Sequence, residues 1–124
     1  MCKEKAKGEY IFTTTDPLGR MVALKQTTWN MHVIDGDHYR PEFIGQEETI
    51  KGIIEDPKFI VKDPIENRER YYDIVHLTSN NKIKPVMVVV DHSTDIGDVC
   101  TIFSISRMRE TGERGIIYVR PKRK

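Results

Sequence analysis

Two of the four histidines, an arginine and a carboxylate fall within fourteen residues, Trp29-Asn30-Met31-His32-Val33-Ile34-Asp35-Gly36-Asp37-His38-Tyr39-Arg40-Pro41-Glu42. Imidazole titrates near neutral pH, so it can take or give a proton there. Guanidinium stays protonated and grips oxyanions with its fixed fork of N–H groups. A carboxylate adds a base or an orienting acceptor. Together these types suit acid–base chemistry on an anionic substrate. The same stretch also reads as an ordinary helix and its exit. Trp29, His32 and Val33 lie at i, i+3 and i+4 on one helical face, and Pro41 stops the run.

Other chemistries lack their residue patterns. His76 and His92 lie far from the first pair. The chain has no HExxH, CxxC or EF-hand spacing, so neither a metal nor a cofactor is expected. Asp91-His92-Ser93 holds the residue types of a hydrolytic triad, but adjacent residues rarely face one another in triad geometry, and no nucleophile elbow surrounds Ser93. Gly97, Gly112 and Gly115 are isolated turn glycines, not a phosphate loop.

Metal-independent RNA cleavage fits the residue types better. In that reaction a base takes the 2′-hydroxyl proton, an acid protonates the leaving 5′-oxygen, and donors hold the charged phosphorane. His32 and His38 suit the proton transfers. Arg40, Glu42 and Thr101 complete the expected catalytic set. Lys84, Ser104, Arg107 and Arg109 suit phosphate binding and orientation. Tyr71 or Tyr72 suits stacking on a base. Each has a plain structural alternative. His32 can be a core-facing helix residue beside Trp29, and His38 a helix-exit cap. Thr101 can be a simple β-branched strand residue, and Glu42 can bond to the connector backbone.

The elements that position these residues follow from composition and pattern. The chain has 124 residues and is 38% apolar, which suits one domain with one modest core. It has no apolar run long enough to span a membrane. The start, MCKEKAKGEY, lacks an apolar signal region, so a cytoplasmic protein is expected. Cys2 and Cys100 are too few for a disulfide scaffold; Cys100 reads as a small core residue. Net charge is +1, but residues 101–124 carry seven Lys or Arg against two Glu, leaving −4 on the first hundred. A basic end on a near-neutral chain can steer a polyanion locally, though Pro121-Lys122-Arg123-Lys124 alone also reads as a solvated tail.

Residues 1–9 read as a flexible leader, 10–120 as one domain and 121–124 as the basic tail. Tyr10–Thr14 and Met21–Leu24 are short strands joined by the Asp16-Pro17-Leu18-Gly19 turn, forming a hairpin-like arm. A helix begins at Trp29, capped by Thr27 or Thr28. A second covers Gln46–Ile54, with Ile50, Ile53 and Ile54 on one side, and ends at Asp56-Pro57. Phe59–Val61 is a short strand. Tyr71–Leu77, Lys84–Val90, Val99–Ile105 and Ile116–Val119 follow as strands with short connections, which demand antiparallel neighbours. The valine-rich Lys84–Val90 run belongs at a buried central position. The expectation is an α+β domain: N-terminal helices packed on a four-stranded antiparallel sheet, with a short N-terminal β-arm.

In order and spacing these pieces resemble the phage-associated barnase/EndoU/colicin/RelE-like nuclease domains. The features that carry the resemblance run through roughly residues 12–105. They are the Asp-Pro-Leu-Gly turn, Trp29-x-x-His32-Val33, His38-x-x-Pro41-Glu42 and Asp56-Pro57-x-x-Ile60. Tyr71-Tyr72, the Lys84–Val90 strand and Val99-x-Thr101-x-Phe103 complete them. The resemblance implies a nuclease-like groove across the sheet, with RNA as partner and, for a toxin or phage effector, an inhibitor or immunity protein. It puts the helix histidine at His32, the proline-glutamate element at His38, Arg40, Pro41 and Glu42, and the strand threonine at Thr101. Those domains read Arg-His-Pro-Glu, whereas Arg40 stands directly before Pro41 here. Arginine keeps the charge and removes a group that titrates near neutral pH. The alternative expectation is a non-catalytic RNA- or protein-binding module on the same scaffold.

Overall fold

A computed structural model describes residues 10–30, 40–77, 82–105 and 115–121. In chain order the elements are β1 (Tyr10–Thr15), β2 (Met21–Lys25), α1 (Gln26–Trp29), a 3-10 turn (Pro41–Phe43), α2 (Glu47–Glu55), β3 (Phe59–Lys62), β4 (Arg68–Leu77), β5 (Lys82–Asp91), β6 (Gly97–Ser104) and β7 (Ile116–Val119). All seven strands join one sheet in the order β1-β2-β6-β5-β4-β3-β7. Every pairing is antiparallel except β2 with β6.

Side chains alternate between the faces of a strand, and this alternation sorts the core. Val86, Val88 and Val90 of β5 join Tyr71 and Leu77 of β4 against Ile50, Ile53 and Ile54 of α2, with Trp29 and Phe43 in the same cluster. Each fully buried isoleucine contributes roughly 1.5–3 kcal/mol. The opposite face holds a smaller cluster of Phe59, Val61 and Tyr72, with Met87 and Ile105 packed beside it. As the valine run of β5 requires, that strand occupies the middle of the sheet, with four strand positions buried.

The expected four-stranded antiparallel sheet is corrected on two counts. The sheet has seven strands and is mixed. The β1–β2 hairpin is not a separate arm: Val22 and Ala23 of β2 pair in parallel with Gly97 and Asp98 of β6. β3 also enters the sheet, between β4 and β7. Helices do not simply precede the sheet, because two strands come before α1. Connection length reveals hairpins between chain neighbours, and it is blind to a parallel partner more than seventy residues away. Of the first helix, Gln26–Trp29 is described, so it starts before the expected Trp29.

Two irregularities shape β6. Val90 pairs with Val99 and Val89 with Thr101, so Cys100 is an extra, bulged residue. It is half-buried, not the fully buried core residue expected. Gly97 lies against the His92 ring: a Cβ there would sit 2.9 Å from both His92 Cε1 and Val90 Cγ1. Strand backbone and core side chain leave that Cβ little room to move. Gly97→Ala is therefore expected to lower stability by about 1–3 kcal/mol, read by urea unfolding followed through Trp29 fluorescence; an unchanged midpoint would contradict the close approach.

Candidate functional site

β2 covers only the first two residues of β6. Near the far end of β6, Phe103 and Ser104 meet side chains of the 3-10 turn and its entry. Pro41 fits its first turn, where no backbone N–H is needed. Phe43 N–H donates to Arg40 O at 3.0 Å and Gln46 N–H to Phe43 O at 2.9 Å, so the turn is closed at both ends. The Phe43 side chain is buried in the main core and pins the turn there. From this position Glu42 Oε2 accepts a hydrogen bond from Ser104 Oγ at 3.1 Å. The Arg40 guanidinium carbon lies 4.7 Å from the centre of the Phe103 ring. Neighbouring strand residues point to opposite faces, so the turn straddles the edge, with Glu42 on the helix side and Arg40 on the other.

Register places two more candidates. Val86 pairs with Ser104, and Lys84, two residues along β5, shares their face at the diagonal position, within reach of a long side chain. Thr101 pairs with Val89 and lies on the face of Phe103, away from Ser104. The structure thus gathers Arg40, Glu42 and Ser104 at one edge, adds Lys84 on the Ser104 face and puts Thr101 on the Arg40 face. The two tyrosines go elsewhere. Tyr71 is 0% exposed and Tyr72 3%, and Tyr72 packs on Phe59 with ring centres 4.9 Å apart. Both rings belong to the core, so neither presents a face to a base. His32, His38, Arg107 and Arg109 lie outside the described residues.

Sequence reasoning missed the tightest polar cluster in the described fold. At the other end of β6, the β1–β2 turn brings Asp16 and Arg20 onto Glu69 and Tyr71 of β4 and His92 after β5. Asp16 Oδ1 accepts the Leu18 and Arg20 backbone N–H groups, each at 2.9 Å. Its Oδ2 accepts the Tyr71 hydroxyl at 2.6 Å and Arg20 Nε–H at 3.0 Å. Arg20 also grips Glu69 with both terminal nitrogens, at 3.1 and 2.7 Å. Tyr71 gives its only proton to Asp16, so the 2.9 Å contact with His92 requires His92 Nε2 to be the donor. These atoms spend their hydrogen bonds on one another, and Tyr71 is sealed. The cluster is a structural clamp. The sequence signal was present, an Asp-Pro-x-Gly turn followed at once by arginine, but its partners are about fifty residues away or more.

The electrostatics agree with a clamp. Burial pushes the Asp16 carboxyl up, and the Tyr71 and Arg20 hydrogen bonds outweigh it, holding the group below the usual carboxylate range. Burial, then the Asp16 carboxylate, drives the Tyr71 phenol well above its ordinary range. Arg20 is locked in its charged form: its carboxylate partners overcome the cost of burial. Burial, then the Arg20 charge, lowers the His92 pKa, while Glu69, Asp16 and Asp91 pull the other way.

An open cleft of about 450 Å³ lies at this same end of the sheet, lined by Tyr10, Lys25, Thr94, Asp95 and Asp98 among others. None of the residues expected to act on RNA lines it, and its two carboxylates against one ammonium disfavour phosphate. The triad types Asp91-His92-Ser93 are otherwise engaged, because Asp91 accepts the Ser93 backbone N–H at 2.8 Å. Among the described residues no three His, Cys, Asp or Glu are grouped to hold a metal ion, and no helix is long and apolar enough to cross a membrane. No family model, no curated protein and no solved structure matches the chain.

Removing Asp16 strands the Tyr71 hydroxyl and part of Arg20 without acceptors. Asp16→Ala should cost about 3 kcal/mol or more, and Tyr71→Phe about 1–2 kcal/mol, in urea unfolding; a loss below about 1 kcal/mol for Asp16→Ala would remove the clamp from the account. The lowered His92 pKa sets a pH dependence. The unfolded chain takes up this proton first, so the His92 contribution is complete above about pH 6.5 and is lost as pH falls below it. Between about pH 7.5 and pH 5.5 the wild-type chain should lose more stability than His92→Gln, which keeps an N–H donor without titrating. Equal losses in the two proteins would contradict a neutral His92.

Proposed function

We propose that this chain is a ribonuclease-like domain that cleaves RNA by metal-independent transphosphorylation at the β6 edge. One observation carries the reading: Ser104 and Glu42, 62 positions apart and each singled out by its chemistry, meet in a hydrogen bond, beside Arg40. In the reaction the RNA 2′-oxygen attacks phosphorus and gives its proton to a base. The bond from phosphorus to the 5′-oxygen breaks, and an acid protonates that oxygen. The products are a 2′,3′-cyclic phosphate and a 5′-hydroxyl. Lys84, on the Ser104 face, supplies charge toward the phosphorane, Ser104 and Glu42 orient its oxygens and the attacking hydroxyl, and Arg40 holds the adjoining backbone from the other side of the edge. His32 and His38 are the groups proposed to share the proton transfers. The resemblance to the phage-associated nuclease domains supports the same assignment, with activity as a toxin or effector.

A binding role without catalysis is the second reading. Its support is the arginine before Pro41: Arg40 stacks on Phe103 and offers a fixed charge where a titrating histidine would serve chemistry better.

Mixed RNA incubated with the protein in chelator and resolved on a gel separates the two. Cleavage to cyclic-phosphate ends is expected. Glu42→Gln, His32→Ala and His38→Ala should each slow it by about 100-fold or more, and Ser104→Ala by less. Full activity in both histidine variants would sink the mechanism. Intact RNA together with salt-sensitive retention on the protein would select the binding role.

A further inference from the structure

We propose that the open cleft beside the start of β6 binds a small organic ammonium, whose charged head takes the place of the Lys25 ammonium against Asp98 and Asp95. Register builds the floor of this cleft. Tyr10 of β1 pairs with Lys25 of β2, and Ala23, two residues before Lys25, pairs with Asp98 of β6. Val22 and Leu24 belong to the main core, so Ala23, Lys25 and their partners Asp98 and Tyr10 share the face opposite the helices. The 94–97 loop, which leads into β6, adds Asp95 and Ile96 to the lining. The cleft measures about 450 Å³, within the roughly 300–1,000 Å³ of sites that hold small molecules.

Charge in the cleft is unbalanced and poorly satisfied. Asp98 Oδ1 is closed to solvent and accepts no hydrogen bond. Buried carboxylate oxygens without a donor are uncommon and costly. Asp98 Oδ2 lies 3.4 Å from Lys25 Nζ, in a pair whose side chains are 43% and 42% exposed. A pair so exposed holds weakly. Asp95 is exposed, and its carboxylate pairs with no described residue. Two carboxylates thus face one ammonium. Lys25 can swing its head into water on a flexible stem, and an incoming ammonium brings three donors to the same carboxylate. The terminal torsion of Asp98 is soft, so its carboxylate can turn Oδ1 toward that head.

The remaining lining selects the body of the ligand. Ala23 and Ile96 are apolar, and Tyr10 supplies an aromatic ring, whose face attracts a cation. A phosphate or carboxylate would meet two like charges. A metal ion needs several oxygens converging on one point, and among the described residues no three His, Cys, Asp or Glu are grouped that way. The matching class is a primary amine on a hydrocarbon body. This site lies away from Ser104 and does not depend on the RNA reading.

The test uses hexylamine as the probe, with hexanol and hexanoate as its neutral and anionic counterparts. Each is titrated into the nitrogen-labelled full chain near neutral pH and at low salt, and NMR shifts of the Asp95, Gly97 and Asp98 amides report binding. Hexylamine should bind about tenfold or more tightly than either counterpart. Asp95→Asn and Tyr10→Leu should each weaken it about two- to fivefold. Lys25→Met removes the resident competitor and should tighten it by about the same factor, while Lys82→Met, at the far end of β5, changes nothing. Weaker or unchanged binding in Lys25→Met overturns the site, and so does a gain in Lys82→Met as large as that in Lys25→Met. Asp95 is exposed, so Asp95→Asn decides the matter if another variant misfolds, and unchanged affinity there overturns the site. Hexanol binding as tightly as hexylamine overturns it too. Displacement of hexylamine by an equal concentration of calcium chloride overturns it in favour of a metal site.

Discussion

A single buried carboxylate ties the N-terminal turn to the middle of this sheet. Asp16 is 3% exposed, yet it stays ionised because two backbone N–H groups, the Arg20 guanidinium and the Tyr71 hydroxyl all point at it. Parallel pairing between β2 and β6 covers only two residues. That short ladder is backed by Val22 and Leu24, fully buried in the main core, by Arg20, which ties Asp16 to Glu69 on β4, and by Tyr71, which ties it to His92 at the exit of β5. A charge this deep costs more than it returns unless every lone pair is met. Here the turn itself meets half of them, because the Asp-Pro-Leu-Gly sequence folds its own N–H groups back onto the carboxylate and lets Gly19 adopt φ +84°.

Farther along β6 the pairing with β2 has ended. There Glu42 of the 3-10 turn accepts a hydrogen bond from Ser104, and Arg40, at the entry to the turn, lies over Phe103. The turn is held in place by Phe43, which is sunk in the main core. The convergence of a carboxylate, a hydroxyl and a guanidinium thus rests on a core anchor in the turn and on the register of β6 with β5.

Legibility from sequence followed the range of the interactions. Strands whose apolar residues repeat locally, such as Ile116–Val119 and the valine run of β5, were readable from pattern. So was α2, whose three isoleucines mark one face. What pattern could not show was pairing between distant segments: the parallel β2–β6 contact, the entry of β3 between β4 and β7, and the bulge at Cys100. The site was legible in the same partial way. Arg40, Glu42 and Ser104 were named from residue type and do meet, because their chemistry marks them wherever they stand. Tyr71 and Tyr72 read as base-stacking rings because neither side chain tells whether its face of the sheet is covered, and here both faces are. What covers a face depends on partners the local sequence does not name. The Asp16 network was invisible for the same reason: its members sit on three segments, each ordinary alone.

The difference between the two sites explains why the most perturbed groups among the described residues are not the candidate chemistry. Strongly shifted groups often mark active sites, but ion-pair networks shift them too. At the Asp16 end the shifted groups satisfy one another and Tyr71 is closed to solvent, so they have nothing to offer a substrate. At the Ser104 end Arg40, Glu42, Phe103 and Ser104 are all half-buried. Eight residues of β6 separate the ends, roughly 20 Å of extended chain. Paired with β5 along its length, β6 cannot shift Ser104 or Phe103 relative to β5 without breaking ladder bonds. The clamp acts elsewhere, fixing the β1–β2 turn against β4 and the exit of β5.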